Sequence, residues 1–151
     1  MMNELVVMCG IPRSGKSTWV NENLKGYHIV CADDIRLALG VQFDFRLENF
    51  VWGVHDTAVR AALVRERDVV IDATNTTITT IKRYAALAEE YSIDFRIVHV
   101  STPISICFAR NKPEIPGSVP NKVIDRMARQ LDDMMLSGAL KGLKVDTVMG
   151  S

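Results

Sequence analysis

The sequence predicts an α/β fold in which helices cover both faces of a mainly parallel sheet of four or five strands. Three observations predict it. Short apolar runs alternate along the chain with segments whose apolar residues recur at helical spacing. Those runs are continuously apolar, as strands buried on both faces are. A Gly-bearing turn leads straight from the first run into a helical pattern, which is the strand, turn, helix order of a layered α/β domain.

The elements follow in order. Leu5 to Cys9 is a buried strand ended by Gly10, and a helix runs from about Gly15 to Leu24. His28 to Cys31 is the second strand, followed by a helix from about Asp33 to Leu39, a polar-aromatic connector, and a longer helix from about Glu48 to Glu66. Asp68 to Asp72 is the third strand. Ile78, Ile81, Ala85, Leu87 and Ala88 mark a helix between Thr77 and Tyr91, which leads into a fourth strand, Asp94 to Val100. A helix from Pro103 to about Ala109, a Pro- and Gly-bearing loop from Arg110 to Pro120, and a helix from about Asn121 to Ser137 complete the body. Leu143 to Met149 has the character of a fifth, edge strand. With 151 residues, 48% of them hydrophobic, and no repeat or linker, one domain spanning 1–151 is expected.

Charge and cysteine usage narrow the function classes. Eighteen basic and 18 acidic residues give a formal net charge of +0, so no global field draws the chain to nucleic acid or an anionic membrane, and any polyanion site must be local. Cys9, Cys31 and Cys107 are widely spaced and lie in or beside apolar runs, as reduced thiols of a cytoplasmic protein do. No basic leader precedes the first strand and no apolar run approaches the length of a membrane span, so neither secretion nor insertion is expected. His28, His55 and His99 have no metal spacing, Trp19 and Trp52 fall on apolar helix faces, and Met127, Met134 and Met135 read as core filling.

The strongest chemical signal is Gly10-Ile11-Pro12-Arg13-Ser14-Gly15-Lys16-Ser17, a match to GxxxxGK[ST], with Thr18 following. It lies where a strand ends and a helix begins. In that context successive backbone N–H groups and the helix N-terminus surround a phosphate, and the two Gly positions let the backbone approach closely. Pro12, Arg13, Ser14 and Thr18 complete the nucleotide-binding set. Lys16 places a positive charge toward the β- and γ-phosphates of ATP, and the Ser17 hydroxyl is the expected Mg²⁺ ligand. The motif narrows the fold to a P-loop NTPase, a three-layer sandwich.

Two further acidic positions lie at the C-terminal ends of strands, where open α/β sheets bind ligands. Asp33 and Asp34 open a helix. One of them could simply cap it, or Asp33 could be the base that accepts a proton from an attacking hydroxyl, with Arg36 one turn later on the same face. Asp72 ends Val69-Val70-Ile71-Asp72 as a Walker-B carboxylate does, as a second element of the Mg²⁺ site or as a cap of the Thr74–Thr77 turn.

Four segments, Gly10 to Trp19, Ala32 to Arg36, Ile71 to Asn75 and Arg110 to Met127, together resemble the phage and bacterial polynucleotide 5′-kinases and related small P-loop kinases. The resemblance implies a kinase-type P-loop fold, Asp33 as general base, Arg36 as a contact to the acceptor strand's phosphate, and Arg110 as a lid donor to the ATP phosphates. One position departs from the pattern. Such lids carry a second Arg four residues after the first, and here Glu114 stands there, which either leaves that role to Lys112 or Arg13 or makes the lid weaker. The chain is also too short for the phosphatase domain fused to some family members, so kinase activity alone is expected of it.

The motif specifies a nucleotide phosphate and leaves three classes open: a polynucleotide 5′-hydroxyl kinase, a kinase of a hydroxymethylated base in DNA, a nucleoside or another small alcohol, and a nucleotide switch without transfer. Val41-Gln42-Phe43-Asp44-Phe45-Arg46 could stack and grip a nucleobase or strand end, or its aromatics could close the core. A nucleic acid end or a modified base is the expected partner.

Overall fold

The computed structural model describes residues 3–40 and 44–150, so Val41, Gln42 and Phe43 of the connector lie outside the described residues. Five strands form one parallel sheet: β1 (Glu4–Cys9), β2 (His28–Val30), β3 (Val69–Ile71), β4 (Asp94–Val100) and β5 (Lys144–Val148), in the spatial order β2-β3-β1-β4-β5. The Leu143–Met149 tail does supply the fifth strand. Arg96↔Lys144 through Val100↔Val148 pair in parallel at the sheet edge, and the Arg96 guanidinium bonds Glu4 at 2.7 Å and Asp146 at 3.2 Å, tying β1, β4 and β5 together.

Alternation along β1 explains the layers. Leu5, Val7 and Cys9 point to one face with Ile81, Tyr84, Cys107, Ile124 and Leu131, while Val6 and Met8 point to the other with Val20 and Leu24. The first face is covered by α3 (Glu48–Val64), α4 (Ile78–Glu90), α5 (Ile104–Arg110) and α6 (Asn121–Leu136), and the second by α1 (Lys16–Asn23). A short helix α2 (Ala32–Ala38) and a 3₁₀ turn (Phe45–Leu47) precede α3. No helix among the described residues is long and apolar enough to cross a membrane.

Boundaries shift by one or two residues where backbone bonds redirect the chain. β2 stops at Val30, and Cys31 becomes the residue flanking α2. α3 stops at Val64 because Glu66, at φ 57°, turns the chain back so that Arg67 N–H reaches Ala62 O at 3.1 Å. Of the connector's described residues, Phe45 is 80% exposed and closes no core.

Candidate active site

The P-loop sits at the C-terminal end of the central strand, and its conformation explains its sequence. Arg13 and Gly15 take positive φ, 68° and 94°. Gly at position 15 removes the Cβ penalty that this geometry imposes. Three loop carbonyls are then taken by donors from three directions. Lys16 Nζ and the Ser14 N–H both bond Ile11 O, at 2.9 Å and 3.2 Å, Arg110 Nη1 bonds Arg13 O at 3.1 Å, and Thr102 Oγ1 bonds Ser14 O at 2.6 Å. Gly10 N–H donates to Thr74 O at 3.1 Å, which docks the loop on the β3 exit. Pro12 is half-buried, Ser14 fully buried and Thr18 exposed on the first turn of α1.

Lys16 does not reach into solvent as a free cation. It folds back over its own loop, with Ser14 Oγ 3.4 Å from Nζ, and burial pushes its pKa below the ordinary lysine value against the opposing pull of Asp72 and, more weakly, Asp33. Ser17 Oγ donates to Asp72 Oδ2 at 2.7 Å. The expected Mg²⁺ ligand and the Walker-B carboxylate are therefore joined directly, and no side-chain cap bond occurs at Thr77, where α4 begins. A hydroxyl and a carboxylate oxygen side by side are hard donors of the kind Mg²⁺ takes. Asn75, which completes the Asp72-Ala73-Thr74-Asn75 segment, holds φ 46°, a conformation Asn tolerates, and its amide donates to Met8 O at 2.7 Å. The β3 exit is thereby locked to β1.

Asp33 lies after β2, with the β3 exit carrying Asp72 between it and the P-loop. Capping does not account for it. The residue flanking α2 is Cys31, no side chain caps that end, and Asp33 and Asp34 both lie inside the first turn. The Asp33 side chain is 88% exposed and accepts from Arg36 Nη1 at 2.6 Å. Arg36 is largely buried, and its main partner is Glu48 at the start of α3, which takes Nε at 2.9 Å and Nη2 through its other oxygen. That fork holds the Arg36 pKa above, and the Glu48 carboxyl below, their ordinary values. Glu48 is absent from the sequence expectations, since only the packing of α2 on α3 brings it to Arg36.

The loop after α5 folds over the P-loop. Asn111 closes its base, donating to Val119 O and to Asn121 Oδ1 while accepting from Val119 N–H at 3.2 Å. Arg13 Nη2 donates to Pro116 O at 3.1 Å across the gap. Arg110 and Arg13 thus meet at the junction of loop and lid, whereas Lys112 and Glu114 are exposed. Cys9, beneath the loop, is pushed by burial up to about 12 and stays a thiol.

Comparison with known proteins agrees with this geometry. A model of the AAA domain family matches residues 5–134. The bifunctional polynucleotide phosphatase/kinase of Schizosaccharomyces pombe is 31% identical over 104 residues, covering 66% of this chain and 21% of its own length. A chain of the Pnkp1/Rnl/Hen1 RNA repair complex superposes with a TM-score of 0.79 at 22% identity, over 90% of this chain and 46% of the other. A gluconokinase from Sinorhizobium meliloti superposes with a TM-score of 0.61 at 14% identity, over 99% and 84%. The chain spans about a fifth of the first of these relatives and under half of the second. With the P-loop at the end of β1 and Asp72 at the end of β3 of one parallel sheet, the chain belongs to the AAA domain family.

Proposed function

We propose that the chain is a kinase that uses ATP and Mg²⁺ to phosphorylate a hydroxyl, with the 5′-hydroxyl of a polynucleotide as its foremost acceptor. The observation that carries this reading is the Ser17–Asp72 bond beside Lys16, one strand away from an exposed carboxylate, Asp33. Ser17 and Asp72 would hold Mg²⁺, which supplies charge neutralisation at the phosphates when bound. The loop N–H groups and Lys16 bind the β- and γ-phosphates, with Arg110 and Arg13 closing over them from the lid side. Asp33 takes the proton of the acceptor hydroxyl as its oxygen bonds to the γ-phosphorus and the bond to the ADP oxygen breaks. Arg36 holds the acceptor in place, and Glu48 fixes the direction of its guanidinium.

A polynucleotide acceptor is supported by the 31% identical polynucleotide phosphatase/kinase and by two exposed aromatics, Phe45 and Phe50, that flank Glu48 in the chain. A small alcohol is supported by a different observation. The segment from Asp33 to Glu48 carries four carboxylates, Asp33, Asp34, Asp44 and Glu48, and two arginines that are both paired, Arg36 with Glu48 and Asp33 and Arg46 with Asp44 at 2.9 Å. Such a surface has little spare charge for a long polyanion. Labelled ATP presented with 5′-hydroxyl oligonucleotides, DNA bearing a hydroxymethylated base, nucleosides and gluconate separates the two. Transfer to none of them, with ATP bound, would leave a nucleotide switch.

A further inference from the structure

A polar residue outside every expected motif holds the back of the P-loop. Thr102, in the turn between β4 and α5, is 6% exposed, and its hydroxyl lies 2.6 Å from Ser14 O. The same oxygen accepts the Gly150 N–H at 3.1 Å. Those two contacts leave one arrangement of the proton: Gly150 donates, so Thr102 must donate to Ser14 O. A peptide unit is planar and trans, so its C=O and N–H point in opposite directions. Anchoring Ser14 O on Thr102 therefore turns the Gly15 N–H to the side opposite Thr102, at a Gly of φ 94° whose lack of a Cβ otherwise leaves that peptide freer to rotate. Gly150 follows β5, whose end is tied to the same turn by Ser101 N–H donating to Val148 O at 2.8 Å. A Cβ on Gly150 would overlap both Ser14 O and Thr102 Oγ1.

We propose that Thr102 is a positioning residue for the nucleotide: it presents the Gly15 N–H to a bound phosphate, and Gly150 after the last strand holds Thr102 in that orientation. The inference rests on the reading that this loop binds a nucleoside polyphosphate. It assigns Thr102 no contact with the acceptor and no part in proton transfer.

The test is ATP and ADP affinity of the full chain by calorimetry, with acceptor KM and thermal unfolding without nucleotide alongside. Thr102→Val keeps the shape and removes the hydroxyl, leaving Ser14 O and the Gly150 N–H without their partner. Affinity for both nucleotides should fall about tenfold or more, the size of one lost hydrogen bond to an anchored peptide, while acceptor KM stays within about twofold. Thr102→Ser should restore affinity, since the hydroxyl alone is required; a loss of packing would not be rescued in this way. Gly150→Ala leaves the hydroxyl in place and should weaken both nucleotides through the crowded Ser14 carbonyl, which keeps the test decisive if Thr102→Val does not fold. Wild-type protein that binds neither nucleotide overturns the kinase reading itself. Wild-type protein that binds them, with Thr102→Val or Gly150→Ala binding equally well, overturns the positioning role alone.

Discussion

Replacing Asp33 by Asn separates chemistry from folding because the structure leaves that side chain so little structural work. Its carboxylate is 88% exposed and, among the described residues, bonds only across one helical turn, to Arg36. Exposed pairs of this spacing contribute ~0.3–0.5 kcal/mol, and a charge in the first turn of a helix adds ~0.3–1 kcal/mol. No cap is lost, since Cys31 and not Asp33 flanks α2. Stability should therefore fall by no more than about 1.5 kcal/mol, the sum of those two contributions. A positioned base, in contrast, contributes about 10²–10⁴ in rate, or ~3–5 kcal/mol. The assay is single-turnover transfer from labelled ATP to the best acceptor, with ATP–Mg²⁺ affinity and thermal unfolding measured on the same protein. We expect at least a ~100-fold slower transfer with affinity within a few-fold of wild type. Asp34→Asn serves as the control, because its side chain points about 100° away on the helix. An active Asp33→Asn with an inactive Asp34→Asn would move the base to the neighbouring carboxylate. Full activity in both would remove general-base catalysis from this helix.

Three other perturbations probe the remaining parts. Lys16→Ala should lower transfer by ~3–4 kcal/mol, the loss typical of one electrostatic stabiliser; because Lys16 also braces Ile11 O and Ser14 Oγ, thermal unfolding should shift too, and near-wild-type transfer by a folded variant would contradict the phosphate-binding role of the loop. Glu48→Gln should cost about 1–2 kcal/mol at neutral pH, between exposed and fully buried pairs, and raise acceptor KM while sparing ATP affinity. Since the folded pKa of Glu48 is depressed, its contribution exists above the unfolded carboxylate value of about 4.3 and is lost as pH falls through the folded value; a stability difference from wild type that persists undiminished at about pH 2–3 would contradict the pairing. Glu114→Arg should raise kcat/KM by replacing repulsion from the γ-phosphate with attraction, and no change, or a fall at unaltered stability, would show that the loop does not close over the phosphates in this way.

What the sequence makes legible here is local. The P-loop, the strand that precedes it and Asp72 are readable because seven or eight adjacent residues both form the turn and carry the chemistry, and continuous Val and Ile runs mark strands buried on both faces. The two roles of Asp33 could not be told apart in sequence, because a cap and a base use the same residue type at the same place; the choice of Cys31, a poor cap, as the flanking residue depends on where β2 stops pairing with β3. The fold-back of Lys16 onto Ile11 O and Ser14 Oγ was not readable from the motif, because a carbonyl and a hydroxyl within its own loop carry no spacing signal. Glu48, Asn111 and Thr102 act across 12, 8 and 88 residues of chain, respectively. Their partners are set by how α2 meets α3, how the lid closes on itself and how β5 returns beside the P-loop, and no spacing rule in the sequence encodes those distances.

The central claim, phosphoryl transfer to a hydroxyl by this domain, is tested most directly by incubating the purified chain with γ-labelled ATP, Mg²⁺ and matched oligonucleotides bearing either a 5′-hydroxyl or a 5′-phosphate, with gluconate and nucleosides in parallel. We expect label on the 5′-hydroxyl strand and none on the strand whose end is already phosphorylated. ATP binding with no labelled product from any hydroxyl would contradict the account.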